Sequence, residues 1–125
     1  MLGDKEAVAT IAVKNMDAAK KFYEDKLRLT KEPTKESGVL AYKSGGTTLL
    51  VYQSEFAGTN KATAATWVVG GDVEKEVQAL KDRGVTFEHY SMPGMTQKGD
   101  VHVAGSMKAA WFKDPDGNIL ALVSG

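Results

Sequence analysis

The first half of the chain opens with an apolar run of strand length, residues 7–13. In residues 15–27, apolar side chains then recur at intervals of three and four, which predicts a helix. Asn15 has the side chain of a helix N-cap. After a charged connector, residues 39–53 form two apolar runs on either side of Gly45-Gly46, which predicts a hairpin. The first half therefore predicts a strand, a helix and further strands.

The second half repeats this order of elements. Residues 64–69 predict a strand, and residues 72–84 predict a helix that begins at Asp72 as its N-cap. Residues 85–90 predict another strand. The chain closes with a predicted hairpin in residues 109–123. Each half thus has the pattern β-α-β-β-β.

This repeat predicts an α+β fold in a single domain, residues 1–125. Module one spans about residues 5–55 and module two about residues 63–124. A sheet covered by a helix on one face leaves its other face open. We therefore expect two curved mixed sheets around a trough, with one helix per module on the outside.

Alternation of side chains along the strands predicts which residues face the trough. A shift of 57 residues places Met16 on Val73, and a shift of 71 places Leu50 on Ala121. A slip of one residue would invert a strand. The predicted trough-facing residues are Val8, Thr10, Ala12, Thr48, Leu50, Tyr52, Ala65, Trp67, Val69, Ile119, Ala121 and Val123.

Composition narrows the function classes. Lys plus Arg and Asp plus Glu are both 16, and no basic stripe is visible, so we expect no nucleic-acid partner. No segment approaches the ~20 apolar residues of a membrane span, so we expect no membrane partner. The chain has no cysteine, which excludes disulfides and thiolate catalysis. These features, with an N-terminal stretch unlike a signal peptide, favour a cytoplasmic protein.

Two segments carry a family resemblance. "NMDAAKKFYEDKL" follows the first strand, and "FKDPDGNILAL" contains an Asp-Pro-Asp-Gly-Asn turn before the last strand. With the duplicated β-α-β-β-β pattern, they resemble the vicinal oxygen chelate superfamily, which includes glyoxalase I, extradiol dioxygenases and bleomycin-resistance proteins. The resemblance implies a homodimer. In metal-using members it also implies a divalent ion held by His, Gln or Glu from four strands.

The positions that carry those metal ligands hold no side chain with a donor atom in this chain. Carried over one by one, they fall on Val8, Leu50, Ala65 and Ala121, which cannot coordinate a metal. A slip of one or two residues brings in threonines and Gln53. We therefore expect no metal, no other cofactor and no catalytic residue.

Residues 89–107 form a long irregular segment that contains Tyr90, Met95 and His102. Such segments often close over ligands. The alternative is an extra β-ribbon in which "DVHVA" is a strand. Both interpretations remain open from the sequence, as does the choice of Trp111 or Phe112 as the residue that faces the trough.

We therefore predict a protein that binds or sequesters a small hydrophobic or aromatic ligand in an apolar trough, similar to bleomycin-resistance proteins and without a metal. The alternative is a metal-dependent glyoxalase-like lyase, isomerase or dioxygenase with an atypical site that uses His102, Gln53 or Tyr52. A third hypothesis is a folded partner domain without a ligand. The predicted ligand-binding residues are Thr10, Thr48, Leu50, Tyr52, Trp67, Tyr90, Met95, His102 and Ala121.

Overall fold

Ten strands and two helices make up the computed structural model, which describes residues 1–125. Helix α1 (Met16–Lys20) continues as a π-helical segment, Lys21–Lys26, and helix α2 spans Val73–Asp82. Neither helix is long and apolar enough to cross a membrane. The strands are β1 (Ala9–Val13), β2 (Thr30–Glu32), β3 (Val39–Ser44), β4 (Thr47–Gln53), β5 (Thr63–Val68), β6 (Phe87–Glu88), β7 (Thr96–Lys98), β8 (Val101–Ala104), β9 (Met107–Lys113) and β10 (Ile119–Val123).

The strands form two mixed sheets, which confirms the predicted α+β fold of two βαβββ modules. The first sheet has the order β1-β4-β3-β2, with β1 parallel to β4. The second has the order β5-β10-β9-β8-β7, with β5 parallel to β10 and β6 also paired to β9. The second module therefore contains an additional hairpin, β7–β8. Strand β8 lies within "DVHVA", so this part of the segment is the extra β-ribbon that was one of its two interpretations.

The two helix starts differ in how they are capped. Asn15 caps α1 as predicted, because its side-chain oxygen accepts a hydrogen bond from the Ala18 N–H at 3.0 Å. Asp72 occupies the N-cap position of α2 as predicted, but the side-chain cap expected there does not form. Asp72 lies in a single 3₁₀ turn, Gly70–Asp72, and its side chain makes no capping bond to α2.

One face of each sheet packs against the helices in a shared core, and we call the opposite face the open face. Along β1, β4 and β10, successive side chains point alternately to the core face and to the open face, as predicted. Thr10, Leu50 and Ile119 lie on the open face. The core-facing residues of these strands are Ile11, Val13, Leu49, Val51, Leu120 and Leu122.

Strand β5 is turned the other way from the prediction. Trp67 pairs with Leu122 and stacks on Phe112 at 6.4 Å between ring centroids, so it packs on the core side, as do Ala65 and Val69. The cause is the connection between strand and helix, which is one residue longer in the second module. Strand β5 corresponds to β1 at a shift of 56 residues, which places Val13 on Val69. The starts of the two helices correspond at a shift of 57 residues. Since side chains alternate with period 2, this single residue inverts the strand.

The Asp-Pro-Asp-Gly-Asn turn clamps the two modules together. Asp114 is 4% exposed, and its Oδ1 accepts hydrogen bonds from the N–H groups of Asp116 (3.0 Å) and Asn118 (2.9 Å). Its Oδ2 accepts from the Tyr23 hydroxyl at 2.7 Å and from the Asn118 side-chain amide at 2.8 Å. The same amide donates to the Ala12 carbonyl at 2.7 Å. A turn of module two is thus bonded to β1 and to the π-helical segment of module one.

The connector between the modules also touches this turn. Gly58 has φ +74°, and a Cβ on it would clash with the carbonyl oxygen of Asp116. Only glycine allows both that backbone angle and that approach. The clamp therefore holds module one, module two and the segment that joins them.

Candidate functional site

The middle of the trough is formed by one short row of residues from four strands. On the first sheet Thr10 pairs with Leu50, and on the second Thr66 pairs with Ala121. Strands β1 and β5 contact each other, so the two open faces adjoin there. This row contains two hydroxyls, two apolar side chains and no charge, and Ala121 within it is buried, at 2% exposed.

A hollow of about 400 Å³, which we call the junction hollow, lies where the β3–β4 hairpin meets β5. The Trp67 indole N–H donates to Ser44 Oγ at 2.8 Å, which fixes the ring between the modules. No ionisable side chain lines this hollow. The lining includes Ser44, Thr47, Thr48, Thr66, Trp67 and Val68.

A second hollow, of about 340 Å³, lies on the open face of the second sheet beneath the segment that follows β6. We call it the loop hollow. Trp111 and Ile119 form its floor, and Tyr90 and Met92 form one wall. Trp111 is therefore the residue that faces the trough, while Phe112 lies in the core.

Buried His102 supports the wall of the loop hollow. It is 1% exposed, and its Nε2 accepts a hydrogen bond from the Tyr90 backbone N–H at 3.0 Å. Its ring meets the Trp111 ring edge to face, with centroids 4.9 Å apart. An imidazole nitrogen that accepts a hydrogen bond carries no proton, so this bond places the proton of neutral His102 on Nδ1. Nδ1 has no hydrogen-bond partner.

The outer edge of this region carries a small charge network. Asp100 bonds Lys81 Nζ through Oδ2 and His89 Nε2 through Oδ1, both at 2.7 Å. Hydrogen bonds from Lys81 and then from His89 lower the pKa of Asp100 below its ordinary value. The network ties the β7–β8 turn to α2 and to the start of the loop above the hollow.

The nine residues predicted from the sequence fall in several places. Thr48 and Trp67 line the junction hollow, and Tyr90 lines the loop hollow with His102 behind it. The other five line neither hollow. Four of them belong to the open faces of β1, β4 and β10, and Met95 belongs to the segment between β6 and β7. These five are Thr10, Leu50, Tyr52, Ala121 and Met95.

Sequence reasoning missed several lining residues. Thr66 and Val68 were hidden by the inverted assignment of β5, and the correct shift of 56 would have placed Thr66 opposite Thr10. Met92, and not Met95, reaches the loop hollow. Lys61 precedes β5 and had no pattern that could have singled it out.

The side chains present do not fit the divalent ion that the family resemblance implies. The Gln53 amide donates to the Lys14 carbonyl at 3.3 Å, and His89 is bonded to Asp100. His102 is buried with Nε2 already engaged. No group of three or more His, Cys, Asp or Glu side chains is arranged to hold a metal ion.

Comparison with known proteins adds a family and a set of similar folds. Residues 7–122 match the sequence model of the glyoxalase/bleomycin resistance protein/dioxygenase superfamily. No curated protein sequence matches the chain.

Solved structures with the same fold cover nearly the whole chain. The fosfomycin resistance protein FosX from Listeria monocytogenes has a TM-score of 0.72 at 13% identity, covering 98% of this chain and 93% of its own. Lactoylglutathione lyase from Agrobacterium tumefaciens has a TM-score of 0.69 at 14% identity, covering 96% and 92%. A glyoxalase/bleomycin resistance protein/dioxygenase from Alicyclobacillus acidocaldarius has a TM-score of 0.71 at 16% identity, covering 96% and 90%. At these identities the likeness shows the fold alone.

Proposed function

Since the chain belongs to the glyoxalase/bleomycin resistance protein/dioxygenase superfamily, we propose that it is a small-molecule binding protein, similar to bleomycin-resistance proteins, that works without a metal. Its ligand is a neutral planar compound with apolar faces, held in the junction hollow. The proposal is carried by one observation: a neutral hollow of about 400 Å³ between the two modules. Ligand pockets typically have volumes of about 300–1,000 Å³.

The lining of the junction hollow supports this ligand class. Trp67 offers an aromatic ring whose orientation is set by its bond to Ser44. The Thr66 hydroxyl can donate to a ligand oxygen or accept from a ligand donor, while the Thr48 hydroxyl, which donates to Glu32 Oε1 at 3.4 Å, can still accept. Because no charged group lines the hollow, an ionic ligand would lose hydration without gaining a partner.

The choice of binding over metal-dependent chemistry is supported by the donor set. The positions that hold metal ligands in related enzymes, carried over from the family resemblance, bear only apolar side chains here: Val8, Leu50, Ala65 and Ala121. Divalent ions in proteins are held by imidazole, carboxylate and other oxygen donors of charged or strongly polar groups.

Tryptophan fluorescence provides the test, because the chain has two tryptophans. In the Trp111→Phe variant, Trp67 is the sole reporter, and we titrate it with neutral planar probes that include naphthol and coumarin. For at least one probe of the panel we expect quenching with a Kd of micromolar or better, or about −8 kcal/mol. Thr66→Phe fills the hollow and is expected to weaken binding by about tenfold or more, which is about 1.4 kcal/mol.

Thr96→Phe is the matched control, because Thr96 is exposed on β7 and lines neither hollow. It should leave binding unchanged. The proposal fails if no probe of the panel quenches Trp67, or if Thr66→Phe and Thr96→Phe have the same effect.

A metal titration separates this proposal from the metal-dependent alternative. A ligand that binds only the folded state raises the melting temperature. We expect Ni²⁺, Mn²⁺ and Zn²⁺ to leave the melting temperature unchanged. A rise that is abolished by His102→Ala or Gln53→Ala would favour a lyase-type enzyme, as in the similar structure of lactoylglutathione lyase.

We also propose that the protein is cytoplasmic and forms a homodimer. Phe56 is 71% exposed and Tyr52 38% exposed, and neither lines a hollow, so a second copy would cover apolar surface without covering the ligand sites. Analytical ultracentrifugation should give the mass of two chains. A charged substitution, Phe56→Glu, should shift the mass to that of one chain.

A further inference from the structure

The loop hollow differs in chemistry from the junction hollow. Its floor and wall are apolar or aromatic, formed by Trp111, Ile119, Met92 and Tyr90, whereas the junction hollow has four hydroxyl-bearing side chains. Lys61 lies at its edge and is the only lysine, arginine, histidine or acidic side chain in the lining. The two hollows are therefore expected to select different ligands.

The aromatic side chains of the loop hollow are held in place before any ligand arrives. Tyr90 meets Trp111 edge to face at 5.6 Å, with an interplanar angle of 73°. Behind both rings lies His102, which holds the Tyr90 backbone by a hydrogen bond and the Trp111 ring by contact. His102 is thus a positioning residue. Because Tyr90 and Trp111 are already ordered, a planar group can bind on the face of Trp111 without first fixing these side chains, which lowers the entropy cost of binding.

The Lys61 ammonium at the edge of the loop hollow is available to bond a ligand. Lys61 is exposed and takes part in none of the ion pairs of the structure, which use other lysines, histidine and the N-terminus. Lysine carries an ammonium with three donors on a flexible stem, so it can reach an acid group at the edge of a hollow. An unpaired cation beside an apolar cavity favours an amphipathic anion over a neutral or cationic compound.

We propose that the loop hollow is a second binding site, selective for planar aromatic anions such as aryl carboxylates. The ring lies against Trp111, between Ile119 and Met92, and the acid group bonds the Lys61 ammonium. This site is independent of the junction hollow, and either one can bind a ligand when the other does not.

The test compares two probes that differ only in charge, naphthoate and naphthamide. In the Trp67→Phe variant, Trp111 is the sole tryptophan and reports on the loop hollow. We expect naphthoate to quench it and to bind about threefold more tightly than naphthamide at low salt, the size typical of an exposed ion pair. Added salt should reduce this preference, because the pair is open to water.

Lys61→Gln should abolish the preference, so that naphthoate and naphthamide bind with equal affinity, and should leave naphthamide binding unchanged. Lys98→Gln is the matched control, because Lys98 is exposed on β7 and lines neither hollow, and it should keep the preference. Thr66→Phe, which fills the junction hollow, should also keep it.

Three results would overturn the proposal: equal affinity for the two probes in the parent variant, a preference that survives Lys61→Gln, or no Trp111 response to naphthoate. Loss of naphthoate binding in Thr66→Phe but not in Lys61→Gln would place the probe in the junction hollow and would likewise overturn it. Because the reporters differ, failure here leaves the Trp67 result for the junction hollow standing.

Discussion

Replacing Tyr23 by phenylalanine removes one hydroxyl from the clamp between the modules. Tyr23 is fully buried, and its hydroxyl donates to Asp114 Oδ2 at 2.7 Å. Phenylalanine keeps the ring, so its packing against Phe22 and Tyr42 is preserved. Asp114 keeps its three other hydrogen bonds. The variant therefore isolates a single bond between π-helical segment and turn.

The size of the effect follows from the charge of the acceptor. Hydrogen bonds to charged groups contribute about 1.5–3 kcal/mol to stability. We expect Tyr23→Phe to lower the free energy of unfolding by about 2 kcal/mol at neutral pH, without the additional cost of a cavity.

The same bond predicts a pH dependence. Burial, and then the negative charge of Asp114, raise the pKa of Tyr23 above its ordinary value of 10.0. Above pH 10 the unfolded chain releases this proton while the folded chain keeps it, so the contribution of Tyr23 is present below that pH and declines as the pH rises. The decline is about 1.4 kcal/mol per pH unit. Phenylalanine has no such proton, so the difference in stability between parent and variant should shrink above pH 10.

Urea unfolding followed by circular dichroism, from neutral pH to about pH 11, measures both effects. The pKa of Tyr42 is also raised, by burial and by its bond to Glu24, but Tyr42 is present in both proteins and cancels in the difference. Tyr52→Phe, at a position 38% exposed, is the control and should change stability little. A difference below about 0.5 kcal/mol at neutral pH, or one that stays constant to pH 11, would refute the role of this bond.

Three further substitutions test other parts of the structure, each by urea unfolding. Gly58→Ala should destabilise by about 2 kcal/mol or more, because its Cβ meets the Asp116 carbonyl oxygen and its φ is +74°; a loss within 0.5 kcal/mol would show that the connector can move away from the turn. Ser44→Ala leaves the Trp67 indole N–H without its acceptor and should cost about 1 kcal/mol, with a changed Trp67 emission; unchanged emission would contradict this contact. Arg28→Gly should stabilise by about 1 kcal/mol, because Arg28 is the one non-glycine residue with positive φ, at 61°; a loss of stability would mean that the arginine side chain contributes more than the strain.

Much of the fold was predictable because its signals are local. Asn15 caps α1 as its position before a helical period indicated, and the hairpins form at Gly45-Gly46 and at the Asp-Pro-Asp-Gly-Asn turn. The faces of β4 and β10 were also predictable, since each strand is registered by the turn just before it. The face of β5 was not, because the extra residue in its connection to α2 changes no local pattern and still inverts the strand.

The candidate site was less predictable than the fold. Alternation alone placed Thr10, Leu50 and Ala121 on the open side, but it could not show that none of them lines a hollow. The hollows arise where separate elements meet: a hairpin of one module against a strand of the other, and a loop over a sheet. The lysine at the edge of the loop hollow becomes relevant only because that loop folds back toward it.

The sequence by itself determined the order of elements, the repeat of two modules and the absence of strong metal ligands from the trough strands, since periodicity, turn residues and side-chain chemistry are properties of neighbouring positions. The tertiary structure alone decided how the modules are joined. Asp114 meets Tyr23, 91 positions away, and Asn118 meets Ala12, 106 positions away. Contacts at such separations depend on how the sheets pack, and packing is set by the whole chain, so the same turn could be predicted as a hairpin but not as the clamp of the molecule.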